Sequence, residues 1–336
     1  MLALGLAALA IGVTDSPNGA APLAQKVPGI QFRYQYLAGG VRGKNGWSHW
    51  NENGTFVSRY VRESVRARIT PVLTYYQVLN SSPEPGAEDT ADIATLRDAA
   101  TMRLYWKDLA LAFRRARSAA SGHRVVFHIE PDLWGYLMLH HESRLAGTFA
   151  RHVVRLRDQV APRIDLAWHM SVWGTGDDPT YSDPSNAKVR SDARRLAAFY
   201  RALHANFDVV FTDVDDRDTG FNEQVNDDHR SGWTAADFRR HDLLTREFAR
   251  RSGRRIVLWQ VPLGNSTLDN TAGHYRDNRV QWWLGNRKHL LATAHSGVVA
   301  ILFGGGADGT TQKDTDGGLF YRLAKRYYAA GPTRLP

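Results

Sequence analysis

Seven short β-rich apolar runs recur along the chain, each followed by a polar loop and then a stretch of helical periodicity. They occupy residues 31–37, 69–76, 125–129, 164–172, 209–213, 256–261 and 298–303. Strands that alternate with helices, with the long loops after the strands, predict a parallel α/β barrel of TIM type. Such a barrel closes on eight strands. Seven are evident, so either the barrel is distorted or seven-stranded, or an eighth strand lies near a terminus. No linker or change of composition breaks the alternation, and residues 25–336 are read as one catalytic barrel domain.

The third run is the richest. It reads HRVVFHIEPDLWGY over residues 123–136. Val125, Val126, Phe127 and Ile129 suit a strand buried on both faces. Alternation sets Val126, His128 and Glu130 on one face. Glu130 and Asp132 fall where the strand stops, and Trp134 follows.

The N-terminus reads MLALGLAALAIGV. Its length suits the apolar core of a signal peptide, and Ala20 and Ala21 offer small residues for cleavage. It is too short for a membrane span. Residues 1–24 are therefore expected to be an export-signal remnant or a disordered N-terminus, and the protein to be secreted or periplasmic. No stable membrane insertion is expected.

Cysteine is absent, which excludes disulfides, thiolate metal sites and a cysteine nucleophile. The net charge of +9 is largely arginine on helical stretches. It reads as solvated helix faces, and nucleic acid is not expected as a partner. The segment TDVDDRD (212–218) lacks the spacing of an EF-hand loop and reads as carboxylates paired with Arg217. Neither a metal nor a cofactor is expected. G-x-S-x-G, Walker and dinucleotide-binding motifs are missing.

Polar and aromatic residues gather after the strands, and a barrel brings them to one face. Glu130, Asp132, Asp213 and Asp308 are the candidate catalytic carboxyls. Tyr36, Tyr75, His169, Asp215, Gln260 and Asn265 are candidate substrate contacts, with Trp47, Trp50, Trp134 and Trp173 as aromatic platforms. Paired carboxyls with indoles suit glycoside hydrolysis, in which one carboxylic acid protonates the leaving oxygen and a second attacks the sugar or activates water. Indole faces pack against sugar C–H groups. The expected partner is a carbohydrate substrate.

HIEPDLWGYL resembles the strand-end motif of glycoside hydrolase family 6, and FGGGADGT resembles that family's glycine-rich C-terminal motif. The resemblance implies a barrel of fewer than eight strands and inverting hydrolysis, with Asp132 as acid and Asp308 as base; under that inverting reading Asp308, or else Asp213, holds the water. Two positions depart from the family. The second strand ends YYQVLN without the family's aspartate, and Gly306 stands where the motif has glutamate. The resemblance thus implies a distant relative with its own substrate.

Three alternatives stand beside this reading. A retaining enzyme would use Glu130 as acid/base and Asp213 as nucleophile. A non-catalytic barrel would only bind carbohydrate. An enzyme for anionic glycans would bring Arg33, Arg42 or Arg276 into the cleft.

Overall fold

The computed structural model describes residues 5–50, 52–83, 86–179, 181–229 and 232–336. Among these, eight parallel strands close into a TIM (β/α)8 barrel: β1 (Ala10–Thr14), β2 (Phe32–Ala38), β3 (Thr70–Tyr76), β4 (Val126–Ile129), β5 (Asp165–His169), β6 (Val209–Asp213), β7 (Ile256–Val261) and β8 (Val298–Phe303). Each strand pairs with its sequence neighbours, and β8 returns to β1.

The eighth strand is the first one. β1 lies inside the run expected to be an export-signal remnant or disordered. Residues 1–4 of that run are outside the described residues. Gly12 pairs with Phe32 on one side and with Leu302 on the other, so β1 closes the ring. A Cβ on Gly12 would press on Phe32 and Leu302, which is why the strand carries glycine there. The C-terminal tail fastens the same region. Leu9 N–H donates to Thr333 O at 2.7 Å, and the Tyr327 hydroxyl donates to Leu9 O at 2.6 Å. The apolar character that resembles a signal core is that of a strand buried on both faces. A seven-stranded barrel is thereby replaced by a full one.

Alternation divides the core in two. Ala10, Phe32, Tyr34, Val72, Val126 and Ala167 fill the barrel bore with Val209, Phe211, Val257, Trp259 and Leu302. The opposite faces, among them Ile11, Leu73, Phe127, Leu166, Val210 and Leu258, pack under the helices. Most helices follow the expected periodicity, such as Ala99–Ala120 and Ala235–Ser252. Two helices, Arg279–Gly285 and Arg287–His295, lie between β7 and β8. Asn286 is extended between them, and its side chain accepts from Lys288 N–H to cap the second. A helix at Glu88–Arg97 follows β3, with Glu88 and Asp89 in its first turn, where the helix dipole favours acids.

Among the described residues, no helix is long and apolar enough to cross a membrane.

Candidate active site

A cavity of about 500 Å³ opens at the carboxyl ends of the strands. Its floor and walls come from successive strand ends: Tyr36 of β2, Tyr76 of β3, Asp132 after β4, Trp173 after β5, Asp213 of β6 and Trp259 of β7.

Asp132 sits at the start of the Leu133–Leu139 helix, facing the cavity on one side and protein on the others. Its pKa is raised to about 6, first by burial and then by the charges of Glu88 and Asp213. His169 and a hydrogen bond with Tyr76 act the other way. A carboxyl whose pKa is raised to about 6 is still partly protonated just below neutrality, which suits a general acid.

Asp213 is held from below. His169 Nε2 lies 3.1 Å from Asp213 Oδ1, and His169 Nδ1 lies 3.0 Å from His128 Nε2. Both imidazoles are buried in the bore, and burial pushes the His128 pKa well down, so that ring is neutral. The two rings fix the carboxylate rigidly against the cavity wall.

Asp215 and Asp216 extend the wall beyond β6. Asp215 pairs with the buried Arg279 at 2.8 Å, and Arg279 also binds Asp277. Burial raises Asp215 to about 7 against the pull of Arg279. Asp216 pairs with Arg217 at 2.6 Å.

Gln260 has a left-handed backbone, φ 54°. Strict alternation would turn it away from the bore, since Trp259 beside it points in. The left-handed turn swings it to the cavity, where its amide donates to the Tyr36 hydroxyl. A Cβ on Gly306 would overlap that amide. This accounts for glycine where the family 6 motif has glutamate.

Of the sequence-derived candidates, Asp132, Asp213, Asp215, Tyr36, Trp173 and Gln260 line the cavity, and His169 lies directly behind Asp213. The others lie elsewhere. Glu130 is fully buried at φ 43°, which breaks the alternation expected to align it with His128. It turns outward to accept from Gln77 and Val78 N–H at 3.0 and 3.2 Å, and from the Tyr105 hydroxyl at 2.9 Å. It clamps the loop after β3 and does not border the cavity. Asp308 is exposed on the loop after β8, outside the cavity lining.

Trp47 and Tyr75 are core residues that share Asp108 as acceptor. Trp134 is buried under the helices and donates to Ile129 O. Trp50 is 54% exposed against Phe56, away from the cavity. The Asn265 amide donates to Asp316 O and braces a loop. None of these four aromatics and this amide lines the cavity. Arg33, Arg42 and Arg276 are also absent from the lining. Arg33 points outward from β2, buried between Asp15 and Glu63.

Several lining residues were not singled out from sequence. Glu88 arrives on the unforeseen helix after β3 and accepts from the Tyr76 hydroxyl. Tyr136 comes from the Leu133–Leu139 helix, and Asp178 and Tyr181 come from a loop whose path the sequence does not define. Trp259 was legible, since period-two alternation along IVLWQV turns Val257 and Trp259 together into the bore.

No protein-family profile matches the chain, and no curated protein matches it. Solved structures of the same fold do. The glycoside hydrolase family 53 catalytic domain of Ignisphaera aggregans is 10% identical, with a TM-score of 0.60 over 96% of this chain and 98% of that one. A family 26 endo-β-1,4-mannanase from Cellulomonas fimi is 13% identical, with a TM-score of 0.61 over 98% and 72%. Thermotoga maritima Cel5A, solved with cellobiose, is 7% identical, with a TM-score of 0.57 over 94% and 97%. The chain is thus distantly similar in structure to TIM-barrel glycoside hydrolases of families 5, 26 and 53, and not to family 6 specifically. At these identities the likeness is one of fold.

Proposed function

We propose that this chain is a glycoside hydrolase in which Asp132 is the general acid/base and Asp213 the nucleophile of a retaining displacement. The observation that carries the reading is the pairing of these two carboxyls on one cavity. Asp132 is raised to about 6, in part by the negative charge of Asp213. Asp213 is fixed by His169. In the first step Asp213 attacks the anomeric carbon as Asp132 protonates the leaving oxygen. In the second, Asp132 takes a proton from water, which displaces the glycosyl group from Asp213. The burial that raises Asp132 favours its neutral form before the first step.

Asp308, the base that the family 6 resemblance implies, is exposed outside the cavity, which supports the retaining pair over the inverting one. Asp132 takes the acid role that the retaining alternative gave to Glu130, because Glu130 faces a backbone clamp. Trp173, Tyr136 and Trp259 supply apolar walls suited to sugar rings. The folds it resembles include an endo-β-1,4-mannanase and an enzyme solved with cellobiose, which supports an oligosaccharide as substrate.

The test is release of reducing ends from a panel of neutral, acidic and amino polysaccharides, with Asp132→Asn and Asp213→Asn alongside. Release by the parent and its loss in both variants is expected, and NMR of the fresh product should give the retained anomer. Undiminished release by either variant sinks the assignment. An inverted anomer would make Asp213 a base for water. Binding without release would make the barrel a carbohydrate-binding module.

A further inference from the structure

Seven arginines line one groove on the flank of the barrel. Two adjacent cavities, of about 550 and 380 Å³, share Arg246 and His295 and lie along the helices Asn186–Ala202, Ala235–Ser252 and Arg287–His295. Asp242 is the one carboxyl among their described lining residues. One wall is a stripe of the Ala235–Ser252 helix. Arg239, Leu243, Arg246 and Arg250 recur there at spacings of four, three and four residues, which sets them on one face. Arg190 joins them from the Asn186–Ala202 helix.

The acids nearby do not balance these cations. Asp183 and Asp237 both bind Arg240. Glu247 serves three guanidinium groups, those of Arg190, Arg250 and the neighbouring Arg251. Asp242 accepts from the Thr293 hydroxyl at 3.0 Å and interacts electrostatically with Arg246. Arg254 donates to the Asn206 amide oxygen, and Arg255 to the Pro336 main-chain oxygen. Arg239 is exposed, with no hydrogen-bond or ion-pair partner among the described residues. Eight arginines thus share four acidic side chains. Like charges at this density repel one another, and an anionic ligand in the groove relieves that repulsion.

The groove begins at the rim of the catalytic cavity. Arg240 Nε donates to Pro179 O at 2.8 Å, and Asp178 and Tyr181, on either side of Pro179 in the chain, line that cavity. Arg239 and Arg250 are about 16 Å apart along their helix, so a ligand that spans them is a polymer. Nucleic-acid strands are held by stacking bases on aromatic side chains, and the described lining residues include no Phe, Tyr or Trp. A carboxylated polymer needs only guanidinium forks, each of which can meet a carboxylate with two parallel hydrogen bonds. Resting on the glycosidase reading above for the kind of polymer, we propose that this groove is a second carbohydrate site, which binds an acidic polysaccharide and holds the enzyme on an anionic matrix apart from the catalytic cavity.

The test is calorimetric binding of the whole chain to polygalacturonate, hyaluronate, uncharged dextran and duplex DNA. One variant carries Arg239→Gln, Arg246→Gln and Arg250→Gln together. A control carries Arg62→Gln, Arg66→Gln and Arg103→Gln, which removes the same charge from helices after β2 and β3. At least one acidic polysaccharide should bind the parent, more weakly as salt rises, and dextran should not. The groove variant should bind at least about tenfold more weakly, as the loss of three exposed ion pairs implies, and the control within about twofold of the parent. Both variants should keep the parent's thermal melt and its cleavage of any neutral glycan, since neither set lines the catalytic cavity. Failure of both acidic polysaccharides to bind overturns the proposal, as does an equal loss in the two variants. Tighter binding of DNA than of either polysaccharide overturns it in favour of a nucleic acid. Groove binding with no release of reducing ends from any glycan keeps the site and removes the glycosidase reading, and release without groove binding does the reverse.

Discussion

The imidazole of His169 bridges two strands of the bore, from His128 on β4 at 3.0 Å to Asp213 on β6 at 3.1 Å. Its role toward Asp213 is one of positioning. His169→Ala should therefore lower kcat by about 100-fold with a smaller change in KM, since a displacement near 1 Å of a reacting group costs about that much. Steady-state kinetics beside a thermal melt will separate this from simple unfolding. Unchanged kcat in a folded variant would remove His169 from the mechanism.

Asp132 must hold its proton to act as the acid, and its pKa is about 6. Activity should thus fall as pH rises above about 6, by about tenfold per unit on the alkaline limb. Two variants move that limb in opposite directions. Glu88→Gln removes a charge that raises Asp132, so the limb shifts to lower pH. Tyr76→Phe removes a hydrogen bond that lowers it, so the limb shifts to higher pH. A pH profile of kcat/KM that neither variant moves would exclude Asp132 as the titrating group.

Asp308 is exposed and does not border the cavity. Asp308→Asn should keep activity within about twofold of the parent, as for a surface change away from the site. A loss as deep as that of Asp213→Asn would restore the inverting pair of the family 6 resemblance.

Glu130 binds the loop after β3 through both carboxyl oxygens. Glu130→Gln sets an amide N–H against a backbone N–H and should cost about 1–3 kcal/mol in denaturant unfolding. Burial also raises the Glu130 pKa from 4.5 to about 8. The folded state then holds this proton more tightly than the unfolded one, so its contribution is full below about 4.5 and is lost as pH rises through about 8. The Gln variant should lack that component of the pH dependence.

Deleting residues 1–14 removes β1 and leaves the edges of β2 and β8 unpaired. Such edges aggregate. The truncated chain should be insoluble or unfolded by circular dichroism and gel filtration. A soluble chain with the parent's melting point would mean that β1 is dispensable, as a removable leader would be.

What the sequence by itself determined is the part of the fold written in local pattern. Runs such as VVFTD and IVLWQV are strands because apolar β-formers exclude helix there, and helices such as Ala235–Ser252 keep their face by periodicity. Barrel logic then brought Asp132, Asp213 and Asp215 to one rim, and the structure agrees. β1 was hidden because a strand buried on both faces and a signal core have the same apolar composition. Tertiary structure decided the rest. The left-handed turns at Glu130 and Gln260 reverse the direction of two side chains at strand ends, taking one out of the site and bringing the other in. Those backbone angles are stabilised by partners distant in sequence, Gln77 and Val78 for one and Tyr36 for the other. Glu88 reaches Tyr76, and Arg279 reaches Asp215, only because the loops fold back over the rim. Contacts of that range leave no period in the sequence, so the charge of the cavity became legible only once the chain was closed.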